Sequence, residues 1–163
     1  MTPEVMAKKA QSIAKEHGLK YTVFGEEKAK KMGMGCYYSV AKGSVNEGKF
    51  VVLEYAPKKK GVETIAFVGK GVCFDTGGIS LKPANAMSGM KYDMSGAAAV
   101  FGAMQAIAQL KPNVRVIGVT PLVENMPSDR ASKQDDVVTA MNGSTVEIEN
   151  TDARSEEHTS ELQ

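Results

Sequence analysis

Histidine is scarce in this chain: of 163 residues only 2 are histidine, and His17 is the one that precedes residue 154. With no second imidazole within the body of the chain, a Ser-His-Asp triad and every histidine-based zinc motif drop out. Cysteine is nearly as rare. Cys36 and Cys73 form no metal-spaced pair and fit a reducing compartment, which points to a cytoplasmic protein. No apolar run approaches the ~20 residues of a membrane span, and the start lacks the basic-then-apolar layout of a signal peptide. Charge of one sign is also missing. The formal net charge is +1 with acids and bases interspersed, so nothing calls for a nucleic-acid or membrane-surface partner. No repeat and no low-complexity block divides the sequence.

What is present is concentrated in residues 68–96, VGKGVCFDTGGISLKPANAMSGMKYDMSG. Ahead of it, TIAFV (residues 64–68) is a short apolar run that predicts a buried strand. After it, SGAAAVFGAMQAIAQL (residues 95–110) predicts an apolar helix, and NVRVIGVT (residues 113–120) a second buried strand. Strand, crossover helix and strand make a parallel α/β unit, whose sites lie beyond the carboxyl ends of the strands. Lys70 and Asp75 fall just past the first strand end. Together with Lys82 and Asp93 they are set among Gly, Ser, Met and Pro rather than on a polar helix face. Asp75 and Asp93 also suit turn and N-cap roles, and Lys82 suits an ordinary surface lysine. Two nucleotide readings fail on spacing. Gly69-Lys70-Gly71 lacks both the earlier glycine and the following Ser or Thr of a Walker loop, and the third glycine of a Rossmann fingerprint is absent.

The strings GKGVCFDTGGISLKP, MKYDMSGAAAV, ENMPS and MNGSTVEIENTDA, in this order and spacing, resemble the catalytic domain of the leucyl aminopeptidases, the cytosol aminopeptidase family. The likeness spans residues 2–153. It implies a dimetal aminopeptidase that releases N-terminal residues, with leucine-type preference, from peptide substrates. By position, Lys70, Asp75, Asp93 and Asp152 match the family's metal ligands, with Asp75 bridging. Lys82 matches the lysine that steadies the oxyanion. Met90, Asn150 and Ala153 fall where the family lines the pocket for the substrate's first side chain. The implied cofactors are two divalent ions, Mn or Zn with Mg as an alternative, and a bicarbonate. The implied assembly of the full-length parent is a homo-hexamer. These residue types suit the chemistry, since hard carboxylate oxygens take such ions and a ligating lysine must be neutral.

The likeness breaks after Ala153. The family continues Glu-Gly-Arg, supplying a second bridging ligand and the bicarbonate anchor, whereas this chain reads Arg154, Ser155, Glu156. Residues 154–163, RSEEHTSELQ, carry no apolar periodicity and resemble the translation of a sequencing-library adapter, so they read as a non-native tail. The chain is thus expected to be the N-terminal part (residues 1–153) of a catalytic domain, with little peptidase activity alone. A non-catalytic binding or regulatory module of aminopeptidase-like fold is the alternative.

The rest of the sequence predicts support for that centre. Thr2 as N-cap, Pro3 in the first turn and Gly18 as terminator bound an amphipathic helix, with Val5, Met6, Ala10, Ile13 and Ala14 on one face. YTVF and FVVLEY predict strands, residues 26–32 a short charged helix, and residues 33–43 a loop or short helix. PKKKG reads as a solvated loop. Residues 121–136 read as a long polar loop, with Glu124 and Asn125 either facing solvent or supporting the site. Asn142-Gly143 predicts a hairpin whose second strand leads to Asn150 and Asp152. The fold class that follows is α/β, a mixed and largely parallel sheet flanked by helices.

Overall fold

The computed structural model describes residues 1–153; the adapter-like reading of residues 154–163 lies outside the described residues. Helix α1 (Pro3–His17) starts where local chemistry dictates. The Thr2 hydroxyl accepts the Val5 amide at 3.4 Å, Pro3 occupies the first turn, and Gly18 closes the helix at φ 68°. Its buried face carries Met6, Ala7, Ala10, Ile13 and Ala14. Val5 does not share it: that side chain is 49% exposed.

The main sheet comprises β1 (Lys20–Gly25), β2 (Lys49–Tyr55), β3 (Thr64–Val68), β4 (Gly71–Asp75) and β5 (Arg115–Asn125). Strand β2 pairs antiparallel with both β1 and β5, while β3 and β4 both pair with β5 in parallel, so the sheet is mixed. Helix α5 (Ser95–Leu110) is the crossover that returns the chain from β3 and β4 to β5. It packs with α1 on one face, burying Ala97, Val100, Phe101 and Met104 against Val51, Leu53, Val116 and Leu122. A Cβ on Gly118 would meet Val100 and Met104 at 2.8 and 2.9 Å, so the bare backbone there sets how closely α5 lies on the sheet.

On the opposite face lie α2 (Glu26–Lys31) and α3 (Gly35–Ala41). Phe24 and Phe50 are stacked cross-strand partners, and Tyr37 of α3 meets Phe50 edge-on. The one-turn α4 (Ala84–Met87) and a 3₁₀ turn (Met90–Tyr92) lead into α5. Hairpin β6 (Val137–Thr139) and β7 (Thr145–Glu147) forms a separate two-stranded sheet around the predicted Asn142-Gly143 turn, with Gly143 at φ 89°.

Three expectations change. The run TIAFV is a strand but not a buried one. Every residue of β3 is exposed, because it lies at the end of the sheet and the described residues leave its outer side uncovered. Residues 71–75, which the sequence places past a strand end, form a strand of their own, β4, with Cys73 only 1% exposed. The second strand does not stop at Thr120 but continues through Pro121 to Asn125, so the first five residues of the predicted polar loop are sheet. Pro121 falls opposite the interruption between β3 and β4, between the pairs Val68–Val119 and Gly71–Leu122, where the parallel ladder is already broken.

Candidate active site

Strands β3 and β4 act as one interrupted strand. Val68 pairs with Val119 and Gly71 with Leu122 in unshifted register, and the break at Gly69 and Lys70 leaves the ladder in phase. Lys70 is held there by its backbone. Its carbonyl accepts the Ala97 amide at 2.8 Å, tying it to the first turn of α5, and a Cβ on Gly96 would meet the Lys70 nitrogen at 2.9 Å. Residues five apart on a regular strand point to opposite faces. Between Val72 and Asp75 the register slips, however, with Val72 opposite Val123 and Asp75 opposite Asn125. This bulge changes the phase by one residue and brings Asp75 to the side of Lys70.

Beyond Asp75 the backbone turns sharply at two glycines with positive φ, Gly77 at 90° and Gly78 at 69°. A side chain on Gly77 would strike the Ser80 carbonyl and approach Asp152 at 3.2 Å; one on Gly78 would meet Asn125 Oδ1 at 2.7 Å. The glycine pair therefore allows two chain segments to touch. Those segments are joined reciprocally. Ser80 donates its amide to Thr151 Oγ1 at 2.9 Å, Thr151 returns its amide to Ser80 Oγ at 3.1 Å, and the Thr151 hydroxyl donates to the Gly77 carbonyl at 2.6 Å. Asp152, whose amide is held by Asn150 Oδ1 at 2.7 Å, is delivered by this junction.

The result is a cavity of about 330 Å³ lined by Lys70, Asp75, Lys82, Met90, Asp93, Asp152 and Ala153. Seven of the eight predicted site residues meet in it. Asn150 does not: it lines a smaller neighbouring cavity with Asn125, Ser132 and Thr151. The charges alternate in sign. Lys82, 10% exposed, forms a short ion pair with Asp152 and lies 3.9 Å from Asp75 Oδ2; Lys70, 60% exposed, lies 2.8 Å from Asp93 Oδ2. Asp93 thus is not the N-cap of α5, a place taken by Met94. Its Oδ2 is buried and has no partner in hydrogen-bond geometry despite the close ammonium. Burial, reinforced by the nearby Asp75 carboxylate, pushes the Asp93 carboxyl above its ordinary range against the pull of Lys70.

Sequence reasoning left Thr76, Ser80 and Thr151 unremarked and gave Asn125 a solvent-facing alternative. Thr76 Oγ1 donates to the Asn125 carbonyl at 2.7 Å, and the Asn125 carboxamide donates to Asp75 Oδ1 at 2.9 Å and to the Thr151 carbonyl at 3.0 Å. Glu124 also turns inward. It accepts Ser44 Oγ at 2.7 Å and Asn46 Nδ2 at 2.9 Å. The available signal was the apolar run Val116–Val123, whose alternation could have been followed past Pro121.

Residues 1–155 match the model of the cytosol aminopeptidase family, catalytic domain. The chain is 50% identical over 153 residues to a "Probable cytosol aminopeptidase" of Alkaliphilus metalliredigens, covering 94% of this chain and 31% of the relative. A protein of the same description from Rickettsia felis is 53% identical over 152 residues, covering 93% and 30% respectively. Among solved structures, the apo structure of leucyl aminopeptidase from Trypanosoma cruzi superposes with a TM-score of 0.88 at 41% identity, over 92% of this chain and 29% of that one. The chain therefore spans just under a third of the length of these relatives, and, with its sheet, crossover helix and lysine-carboxylate cavity, it belongs to the cytosol aminopeptidase family.

Proposed function

We propose that this chain forms part of the catalytic domain of a cytoplasmic, metal-dependent aminopeptidase that removes N-terminal residues, leucine among them, from peptides. The observation that carries the reading is the convergence of Lys70, Asp75, Lys82, Asp93 and Asp152, from separate stretches of sequence, on one cavity that also contains Met90 and Ala153.

The donor set fits two divalent ions of the Mn, Zn or Mg kind. Three carboxylates share the cavity, and one buried oxygen, Asp93 Oδ2, lacks a hydrogen-bond donor. Among the described residues no three of His, Cys, Asp and Glu form a metal cluster by themselves, so the fit depends on Lys70 as an amine donor. Lys70, Asp75, Asp93 and Asp152 would hold the ions. When bound, such a pair supplies an activated water and polarises the peptide carbonyl. The residues of the chain do the rest. Lys70 must give up its proton to ligate, and its 60% exposure provides a path to solvent for that proton. Lys82, enclosed between Asp75 and Asp152, presents its Nζ at the cavity wall, where a donor aimed at a developing oxyanion contributes about 2.7–4 kcal/mol. Met90 and Ala153 offer an apolar surface to the first side chain of the peptide, while Asn150 would act from behind by holding the Asp152 amide. A bicarbonate and a hexameric assembly belong to the same proposal for the whole protein.

Leucyl-peptide hydrolysis by the full-length protein tests the reading. Asp75→Ala should abolish turnover and divalent-ion binding together; full activity in that variant would overturn the assignment. One observation favours a second reading for the chain itself. Arg154-Ser155-Glu156 stands where the family has Glu-Gly-Arg, so a peptide-binding module without turnover would bind leucyl peptides yet release no leucine.

A further inference from the structure

We infer that Asn125 is a positioning residue of this centre, a neutral side chain whose carboxamide fixes both the Asp75 carboxylate and the segment carrying Asp152. The inference rests on the proposed metal-dependent reading and adds to it a residue outside the cavity wall. Asn125 is the last residue of β5 and the cross-strand partner of Asp75. Its position beside the carboxylate is therefore set by sheet register. A carboxamide has two N–H donors on one nitrogen. Here one goes to Asp75 Oδ1 at 2.9 Å and the other to the Thr151 carbonyl at 3.0 Å. The Gly77 amide also reaches Asp75 Oδ1 at 2.9 Å. With Oδ1 engaged by two neutral donors, Oδ2 alone is turned to Lys82.

The backbone of Asn125 is tied in as well. Its carbonyl accepts both the amide and the hydroxyl of Thr76, at 3.0 and 2.7 Å. Gly78, at positive φ, belongs to the same arrangement, since a Cβ there would press on Asn125 Oδ1 at 2.7 Å. Aspartate at position 125 would keep the shape and lose both donors while setting a second carboxylate against Asp75. Glutamine would keep the donors on a longer stem. A residue that merely filled space would not distinguish these substitutes; one that aims a carboxylate would.

The test uses the full-length protein with Asn125→Ala, Asn125→Asp, Asn125→Gln and, as control, Asp75→Ala. Three quantities are read: Mn²⁺ affinity by calorimetry, kcat and KM on a leucyl peptide, and amide hydrogen exchange of the metal-free protein. Loss of a group that orients a metal-binding carboxylate typically costs about 10–100-fold in affinity or activity. We expect losses of that size for Asn125→Asp in Mn²⁺ affinity and kcat with KM little changed, and faster exchange at Gly77 and Asp152 before any metal is added. Asn125→Gln should recover part of both. Unchanged affinity, kcat and exchange in Asn125→Asp, with Asp75→Ala inactive, would overturn the role of Asn125 alone. An Asp75→Ala variant that still binds Mn²⁺ and turns over would instead overturn the functional reading beneath it. If Asn125→Ala fails to fold, Asn125→Asp and the exchange of its metal-free form carry the decision.

Discussion

Strands β3 and β4 lie end to end against the same partner, in the same direction, yet they live in different surroundings. In β3, Ile65 and Val68 are 44% and 73% exposed; in β4, Cys73 and Asp75 are 1% and 7% exposed. Both strands have the composition of interior sheet, and both make a parallel ladder to β5. What separates them is cover. The 3₁₀ turn at Met90–Tyr92, the start of α5 and the Gly77-Thr151 junction gather around β4, whereas β3 has an open outer side among the described residues. Backbone pairing alone thus leaves a strand apolar and wet. Burial needs a further layer, and in this molecule that layer also brings the charged residues of the site.

Substitutions along the two strands and their shared partner should separate these effects. The largest is expected for Leu122→Ala on β5. That side chain is fully buried opposite Gly71, and truncation should cost about 2–5 kcal/mol in urea unfolding of the protein. Cys73→Ser comes next at about 1–3 kcal/mol, because a hydroxyl would replace a small apolar group in the core. The same contrast can be read by thiol labelling. Burial, with Glu124 adding to it, pushes the Cys73 thiol up to about 12, so alkylation at mild alkaline pH should modify exposed Cys36 and spare Cys73 until the protein unfolds.

A smaller effect belongs to the entry of β5, where Arg115 Nε donates to Glu54 Oε1 at 2.9 Å. This hydrogen bond holds the Glu54 carboxyl below its usual value. The sign follows from linkage: the stabilisation is present above the unfolded carboxyl value of about 4.3 and fades as pH falls through the lower folded one. Arg115→Ala should therefore cost under about 1 kcal/mol at neutral pH and flatten the stability profile on the acid side, as thermal melts across pH would report. Phe67→Lys on β3 should be the mildest. With that ring 41% exposed, stability should stay within about 0.5 kcal/mol, and a charge on an open edge should reduce aggregation in light scattering.

The sequence was most legible where one local rule decides the outcome. Thr2, Pro3 and Gly18 mark both ends of α1, the Ala-rich run of α5 has the predicted limits, and Asn142-Gly143 turns the hairpin. It misled where two rules compete. Glycines and a lysine at 69–71 look like a turn, yet sheet register continues across them; Pro121 looks like a strand stop, yet β5 runs past it. The convergence of Lys70, Asp75, Lys82, Asp93 and Asp152 was legible through family likeness, since no periodicity links residue 75 to residue 152. The hydrogen bonds of Asn125 and Thr151 were not. They depend on which polar atoms two distant loops bring within 3 Å of each other, and composition carries no trace of that.

The bulge between Val72 and Asp75 has a bearing on how the segment tolerates changes in length. Loss of Phe74 would let β4 run as an unbroken ladder, with Cys73 still in the core and the aspartate still opposite Asn125. Loss of Gly71 would bring the aspartate to the same partner but rotate Cys73 out of the core and Val72 into it. Two deletions of equal size, three residues apart, thus have opposite consequences for the interior while leaving the carboxylate in place. The spare residue in the bulge is a reserve of length that this strand can surrender at one point and not at another.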